Sequence, residues 1–194
     1  MQKLSRETLY SLEEYAEARP TFRAEVLQHK KNRALAIGEH ATLYFEDFLT
    51  MKYQVQEMLR IEKIFEKAGI EEELEAYNPL VPDGCNWKAT FMIEYGDVEE
   101  RRKALEMLVG IEDKTWMQVE GFDKVYAIAD EDLERTESDK TSAVHFMRFE
   151  LTPEMAAAAK QGAAINGGID HDHYNISVSP IAANIRDSLS ADLD

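Results

Sequence analysis

Residues 86–95 read NWKATFMIEY, a stretch in which apolar or small side chains alternate with mostly polar ones. Successive side chains of a β-strand point to opposite faces of the sheet, so this alternation predicts a strand with one buried face. The residues expected on that face are Trp87, Ala89, Phe91, Ile93 and Tyr95. We take this strand as the centre of the fold and interpret the rest of the chain around it.

The segments that follow the strand predict a ferredoxin-like unit. They are a helix at 98–109, a hairpin at 115–121 and 123–130, a short helix at 129–135 and a strand at 141–151. The order β, α, β, β, short α, β is the order of a ferredoxin-like fold. We therefore expect an α+β protein with a four-stranded, mainly antiparallel sheet over about residues 86–151.

The flanking segments predict an N-terminal helical and hairpin segment and C-terminal helices. They comprise helices at 5–19 and 21–32, a hairpin at 33–45, a long helix at 49–68, and helices beginning at Thr152 and Ser179. Pro20 is expected to separate the first two helices and Gly69 to end the long one. The prolines of NPLVPDG, residues 78–84, indicate an irregular connection and a boundary near 78–85. At 194 residues, the chain is expected to form one compact domain.

Charge restricts the classes of partner. The chain has 22 basic and 38 acidic residues and a net charge of −16, which argues against a general nucleic-acid or anionic-membrane binder. Residues 1–35 carry seven basic and five acidic side chains, a net of +2. That end could dock on an acidic patch of a partner, although an ordinary solvated face is the simpler interpretation.

Cysteine content and hydropathy predict a cytoplasmic protein. The single cysteine, Cys85, excludes a disulfide within the chain and favours a reducing compartment. The first twenty residues contain charges throughout, without the apolar core of a signal peptide. No later window approaches the roughly 18 uncharged apolar residues that a membrane span needs.

Glu57 is the first candidate site residue. On the helix expected at 49–68, it falls between Ile64 and Ala68 on the apolar face. An unpaired buried carboxylate is costly, so Glu57 must find a cation, hydrogen-bond donors or a metal. A salt bridge to an arginine is the commoner outcome, and a metal ligand is the alternative.

Histidines provide the other candidate ligands. The stretch GGIDHDHYN, residues 167–175, contains His171 and His173 with neighbouring aspartates, and imidazole and carboxylate ligands suit divalent Fe, Mn or Zn. A loop whose aspartates serve as caps and whose histidines lie at the surface explains the same residues. His145 lies on an alternating strand, where a hydrogen-bonded core histidine is the commoner arrangement. A metal site, if present, is expected on His171 with Glu57 or His145.

Several long blocks resemble the bacterial family called DUF3501. They are HKKNRALAIGEHATLYFEDFLTMKYQVQEMLRIEKIF at 29–65, EAYNPLVPDGCNWKATFMIEY at 75–95, DVEERRKALEMLVGIEDKTWMQVEG at 97–121, YAIADEDLER at 126–135 and TSAVHFMRFEL at 141–151. The resemblance implies a setting of iron-linked or peroxide-linked redox chemistry, because members are often encoded beside rubrerythrin-like proteins and iron–sulfur reductase-like subunits. The segment DHDHYN differs from the sequence usual in the family. The resemblance therefore supports a site role for His171 better than for His173.

Two hypotheses of function follow. The first is an accessory or interaction protein that docks on a rubrerythrin-like or iron–sulfur redox partner. The second is a metal-dependent protein or enzyme with Glu57, His171 and either His145 or His173 around one divalent ion. The sequence leaves the reaction, the substrate and the oligomeric state open.

Overall fold

The computed structural model describes residues 2–194 and confirms the α+β class. Within these residues the α-helices are α1 (Leu12–Lys30), α2 (Phe48–Ile61), α3 (Lys67–Tyr77), α4 (Val98–Met107), α5 (Pro153–Lys160) and α6 (Ala183–Ser190). Short 3-10 turns lie at Arg6–Thr8, Asn78–Leu80 and Glu112–Lys114. No helix in the described range is long and apolar enough to cross a membrane.

Two antiparallel sheets form the centre of the molecule. Their strands are β1 (Ala34–Ile37), β2 (Ala41–Glu46), β3 (Asn86–Ile93), β4 (Thr115–Val119), β5 (Val125–Tyr126), β6 (Ile128–Ala129), β7 (Val144–Glu150), β8 (Ile165–His171) and β9 (Tyr174–Val178). The first sheet has the order β1-β2-β3-β7-β6, and the second has the order β5-β4-β8-β9. Ala127, between β5 and β6, donates its amide to the carbonyl of Thr115 at 2.8 Å, which links the two sheets.

The strand predicted from NWKATFMIEY is confirmed as β3, in the middle of the first sheet. Trp87, Phe91 and Ile93 are buried, as the alternation predicts. The indole of Trp87 donates a hydrogen bond to the carbonyl of Leu189 at 2.9 Å, so α6 is attached to the central strand. The main core lies between the sheets and under helices α4, α5 and α6.

The strands expected in one ferredoxin-like sheet are divided between two. β3 and β7 are neighbours in the first sheet, whereas β4 pairs with β8 in the second. Residues 167–175, expected to be a loop, form the end of β8, with Gly167 and Gly168, and the start of β9. A Cβ on Gly168 would lie 2.5 Å from Trp116 and 2.8 Å from the carbonyl of Ile176, so glycine is needed for close packing within a strand.

The N-terminal helices also differ from the expectation. α1 continues through Pro20, whose side chain is exposed, so the hydrogen bond lost at the proline falls on the solvent side. α2 ends at Ile61 instead of near Ala68, because Lys63 has a φ of 55° and α3 starts afresh at Lys67. Gly69 lies inside α3 and does not end the long helix.

Candidate functional site

A groove lies between the outer face of the first sheet and helices α2 and α3. We call it the α2–α3 groove, and its volume is about 440 Å³. Its apolar wall consists of Met51, Tyr77, Leu80, Met92, Val144 and Phe146. Its polar side chains include Lys30, Glu46, Gln54 and Thr90. A concave, mostly apolar surface with a few polar groups is typical of small-molecule sites.

The alternation of β2 places Glu46 in this groove. Leu43 and Phe45 enter the core, so the next side chain, Glu46, faces the opposite side of the sheet. Asp47 follows immediately and caps α2, accepting a hydrogen bond from the amide of Thr50 at 2.9 Å. The chain therefore turns at Asp47 and folds α2 back over the face that carries Glu46.

The Glu46 carboxylate is buried without a cation. The residue is 7% exposed, and one of its oxygens accepts a hydrogen bond from the hydroxyl of Thr90 at 2.8 Å. Among residues 2–194, Glu46 makes no salt bridge and its second oxygen receives no hydrogen bond. Within the described residues, Nε1 of Trp116 is the only fully buried side-chain polar atom without a partner, so the second oxygen of Glu46 keeps contact with solvent in the open groove, where a ligand could reach it.

The residue that should pair with Glu46 is directed elsewhere. Lys88 lies directly across from Glu46 in the β2–β3 register. Its ammonium instead donates to the carbonyl of Pro79 at 2.9 Å. Burial lowers the pKa of Lys88, with a further contribution from the neighbouring Arg148 cation. The hydrogen bond to Pro79 thus keeps the ammonium of Lys88 away from the Glu46 carboxylate.

Arg33 fixes the backbone at the same end of β2. Its guanidinium donates to the carbonyls of Phe45 at 2.9 Å and Glu46 at 3.0 Å, and to Asp192 at 2.5 Å. These bonds commit the guanidinium to groups other than the Glu46 carboxylate. Burial raises the pKa of Asp192 to about 6 in spite of the opposing effect of Arg33.

Glu57 lies outside the groove and forms the predicted arginine salt bridge. Arg19 binds both carboxylate oxygens, with its Nε 2.7 Å from Oε1 and its Nη2 2.9 Å from Oε2. The hydroxyl of Tyr15 donates to Oε1 at 2.6 Å, and Arg60 donates to Oε2 at 3.3 Å. The hydrogen bonds from Arg19 and Tyr15, working against burial, lower the pKa of Glu57 to about 2.

His145 is a buried member of a charged network. Its Nδ1 lies 2.6 Å from an oxygen of Asp130, and its Nε2 lies 2.8 Å from the hydroxyl of Thr141. Glu112 accepts hydrogen bonds from the hydroxyls of Thr136 and Thr141. Both ring nitrogens are therefore engaged, as expected for a hydrogen-bonded core histidine.

The histidines of residues 167–175 lie on the β8–β9 hairpin instead of a loop. His171 has its Nε2 3.1 Å from the carbonyl of Val109, and its Nδ1 accepts a hydrogen bond from the amide of His173 at 3.2 Å. Since the carbonyl can only accept, Nε2 is the donor. The side chain of His173 is exposed, and its ring lies 5.8 Å from the ring of His171.

The predicted metal ligands thus have separate sets of contacts. Glu57 belongs to the α1–α2 pair, His145 to the network beside β7, and His171 and His173 to the β8–β9 hairpin. A metal bound by His145 or His171 would have to displace hydrogen bonds that both rings already make. In residues 2–194, no group of three or more His, Cys, Asp or Glu side chains is placed to hold a metal ion.

Comparison with known proteins agrees with the resemblance noted in the sequence. The family described as "Protein of unknown function (DUF3501)" matches residues 3–193. The chain belongs to the DUF3501 family. No curated protein matches the chain significantly.

A solved structure has the same fold as this DUF3501 protein. It is a novel protein of unknown function from Burkholderia pseudomallei K96243, with 53% sequence identity and a TM-score of 0.94. The alignment covers 100% of each chain. The similarity extends over the whole fold, including both sheets and the helices that form the groove.

Sequence reasoning missed the α2–α3 groove of this DUF3501 protein, although a signal was present. Met92, Val144 and Phe146 occupy positions that alternation assigns to the outward face of β3 and β7. Three apolar side chains on that face indicate that something covers it. Glu46 gave no local signal, because one carboxylate after a hydrophobic strand is an ordinary feature of a strand end.

Proposed function

We propose that this DUF3501 protein binds a small organic molecule with an apolar body and a cationic head group in the α2–α3 groove. The observation that carries the proposal is the Glu46 carboxylate, which is 7% exposed and makes no salt bridge within the described residues. A ligand ammonium beside this carboxylate would supply the missing charge. Charge-assisted hydrogen bonds of this kind are the stronger ones in proteins.

The rest of the groove suits the apolar part of such a ligand. Tyr77 and Phe146 offer aromatic surface, and Met51 offers a flexible side chain that adapts to different shapes. Thr90 holds one oxygen of Glu46 and leaves the other without a donor. The charge of Glu46 would therefore orient the head group of the ligand, and apolar contacts would hold its body.

Binding of simple amines tests the proposal. Phenethylamine and isoamylamine, titrated by calorimetry or by NMR shift mapping, are expected to bind the parent protein in the groove. Glu46→Gln should weaken both by at least about tenfold, because the substitution removes the negative charge and keeps the shape. Glu39→Gln, at an exposed position of the β1–β2 turn, is the matched control and should bind as the parent does. Absence of amine binding, or equal affinity in Glu46→Gln, would contradict the proposal.

The family resemblance supports a second, independent proposal, an accessory role for a rubrerythrin-like or iron–sulfur redox partner. Arg23 and Lys31 are exposed on or just after α1 and belong to the net-positive end of the chain. Sedimentation of the purified protein with such a partner should show a complex that Arg23→Glu with Lys31→Glu weakens. Lys160→Glu, at the exposed end of α5, is the control. Sedimentation of the protein alone gives its oligomeric state.

The metal hypothesis also remains a prediction. Titration of metal-free protein with Fe(II), Mn(II) and Zn(II) decides it, using protein purified without a metal-binding tag. If the site is built on His171 with Glu57, both His171→Ala and Glu57→Gln should reduce the affinity. Binding should also weaken as pH falls, because a protonated imidazole cannot ligate a metal. Unchanged metal affinity in both variants would contradict a site built on His171 and Glu57.

A further inference from the structure

Lys30 is a second charged side chain in the α2–α3 groove, half-exposed and without an ion-pair partner in the described residues. It is the last residue of α1, and its ammonium lies 5.9 Å from the centroid of the Tyr53 ring. Within residues 2–194 it forms no salt bridge and donates no hydrogen bond. The next residue, Lys31, behaves differently, because its ammonium donates to the side chain of Gln28 at 2.9 Å.

Lys30 and Glu46 line one groove without pairing with each other. An ion pair would compensate both charges, and none joins Lys30 to Glu46 in the described residues. Here the two groups stay apart, and the Gln54 side chain, which also lines the groove, makes no hydrogen bond in the described part of the chain. One oxygen of Glu46, the ammonium of Lys30 and the amide of Gln54 therefore keep hydrogen-bonding capacity for a ligand in one groove.

We infer that the ligand is a zwitterion of the amino-acid type, whose ammonium binds Glu46 and Thr90 and whose carboxylate binds Lys30. This inference rests on the proposed function and names the class of ligand for the same groove. The zwitterion would satisfy both unpaired charges at once, and the Gln54 amide can donate to its carboxylate or accept from its ammonium. The apolar body would lie against Met51, Tyr77, Leu80 and Phe146.

Electrostatics favours a zwitterion over a simple amine. A monocation placed at Glu46 would gain one ion pair but would also add a positive charge to a groove that Lys30 and Arg33 already line. A zwitterion adds no net charge to the groove and forms two ion pairs. Lys30 lies at the carboxyl end of α1, where the negative end of the helix dipole stabilises its positive charge.

Probes that share a body and differ in charge test the inference. One set is L-phenylalanine, phenethylamine and 3-phenylpropionate, and the other is L-leucine, isoamylamine and 4-methylpentanoate. In the parent protein at least one amino acid should bind at least about tenfold tighter than its amine, and the acids should bind weakest. Lys30→Met should remove the advantage of the amino acid while the amine binds as well as before or better. Lys31→Met is the matched control and should leave the parent order unchanged.

The outcomes separate this inference from the proposed function. If the amines bind through Glu46 and neither amino acid binds tighter, the zwitterion is wrong and the amine site stands. The same conclusion follows if Lys30→Met leaves the advantage of the amino acid intact. If the amines do not bind, the proposed function fails, and the inference that rests on it fails as well. Circular dichroism of each variant checks that the fold is retained.

Discussion

At the scale of single residues, the structure distinguishes Glu57, the carboxylate that the sequence singled out, from Glu46, for which the sequence offered no signal. Glu57 is held by Arg19, Tyr15 and Arg60, which is a structural arrangement that stabilises the α1–α2 pair. Glu46 has one neutral donor, Thr90, and no salt bridge within residues 2–194. The first carboxylate is fully used by the fold, whereas the second is available to a ligand.

Replacement of Glu57 by Gln should destabilise the protein by roughly 1–3 kcal/mol at pH 7, because Arg19 loses a charged partner in a partly solvated site. The pKa of Glu57 is about 2 in the fold against an ordinary 4.5. The stabilisation is therefore complete above about pH 4.5 and is lost as the pH falls towards 2. Urea unfolding at several pH values measures the difference between parent and variant.

Glu62→Gln is the control for this experiment. Glu62 lies at the end of α2 with its side chain exposed. A loss of stability as large in Glu62→Gln as in Glu57→Gln, or a difference that does not shrink in acid, would show that the Arg19 salt bridge is not the cause.

At the scale of secondary-structure elements, close packing decides where a strand can form. β8 passes against Trp116, Met117 and Leu35, and its two glycines leave room for these side chains. Strand formation here depends on neighbours that come from distant parts of the chain. Local sequence therefore favours a turn where the fold requires an extended segment.

Gly168→Ala should destabilise the protein by about 2 kcal/mol or more, since its Cβ would overlap the indole of Trp116 and the carbonyl of Ile176. Differential scanning calorimetry measures the change as a lower melting temperature. Gly96→Ala is the matched control, because a Cβ at Gly96 has no neighbour within 4 Å. Equal melting temperatures for the two variants would contradict the packing argument.

The sequence predicted elements well where one local pattern was decisive. β3 was predicted because alternation over ten residues has no helical counterpart, and the hairpin of β1 and β2 was predicted from its turn. Prediction failed where a single residue was misleading, and where no residue marked a break in a helix. Pro20 did not interrupt α1, and the break after α2 at Lys63 has no glycine or proline to mark it. The groove escaped prediction because α2, β3 and β7 are far apart in the chain.

At the scale of the whole molecule, Arg33 connects the first hairpin to the residues after α6. Its guanidinium joins the end of β2 to Asp192, just after α6. It is 2% exposed, so its charge depends for compensation on Asp192 and on Asp47, whose carboxylate lies 3.3 Å from Nη1. The floor of the α2–α3 groove is therefore supported from the opposite end of the sequence.

Arg33→Met should destabilise the protein by roughly 3–5 kcal/mol, because it leaves the buried Asp192 carboxylate without its cation and removes one of the two partners of Asp47, Arg33 and His29. The double variant Arg33→Met with Asp192→Asn should recover part of the loss, since residue 192 is then neutral while Asp47 still lacks the Arg33 guanidinium. Hydrogen exchange should be faster in α6 of the single variant than in the parent. A double variant less stable than the single one would show that the charge of Asp192 is not the source of the effect.

The same long-distance bonds affect how quickly the protein can fold. The residues of the Arg33–Asp192 bond are separated by 159 positions, and those of the bond from the Tyr174 hydroxyl to the Ile37 carbonyl by 137. Closing loops of this length costs chain entropy before the contacts between their ends can stabilise the fold, and this slows folding. The backbone around Glu46 should therefore reach its final position late in folding, and a refolding chain should regain most of its helix before it regains the ability to bind.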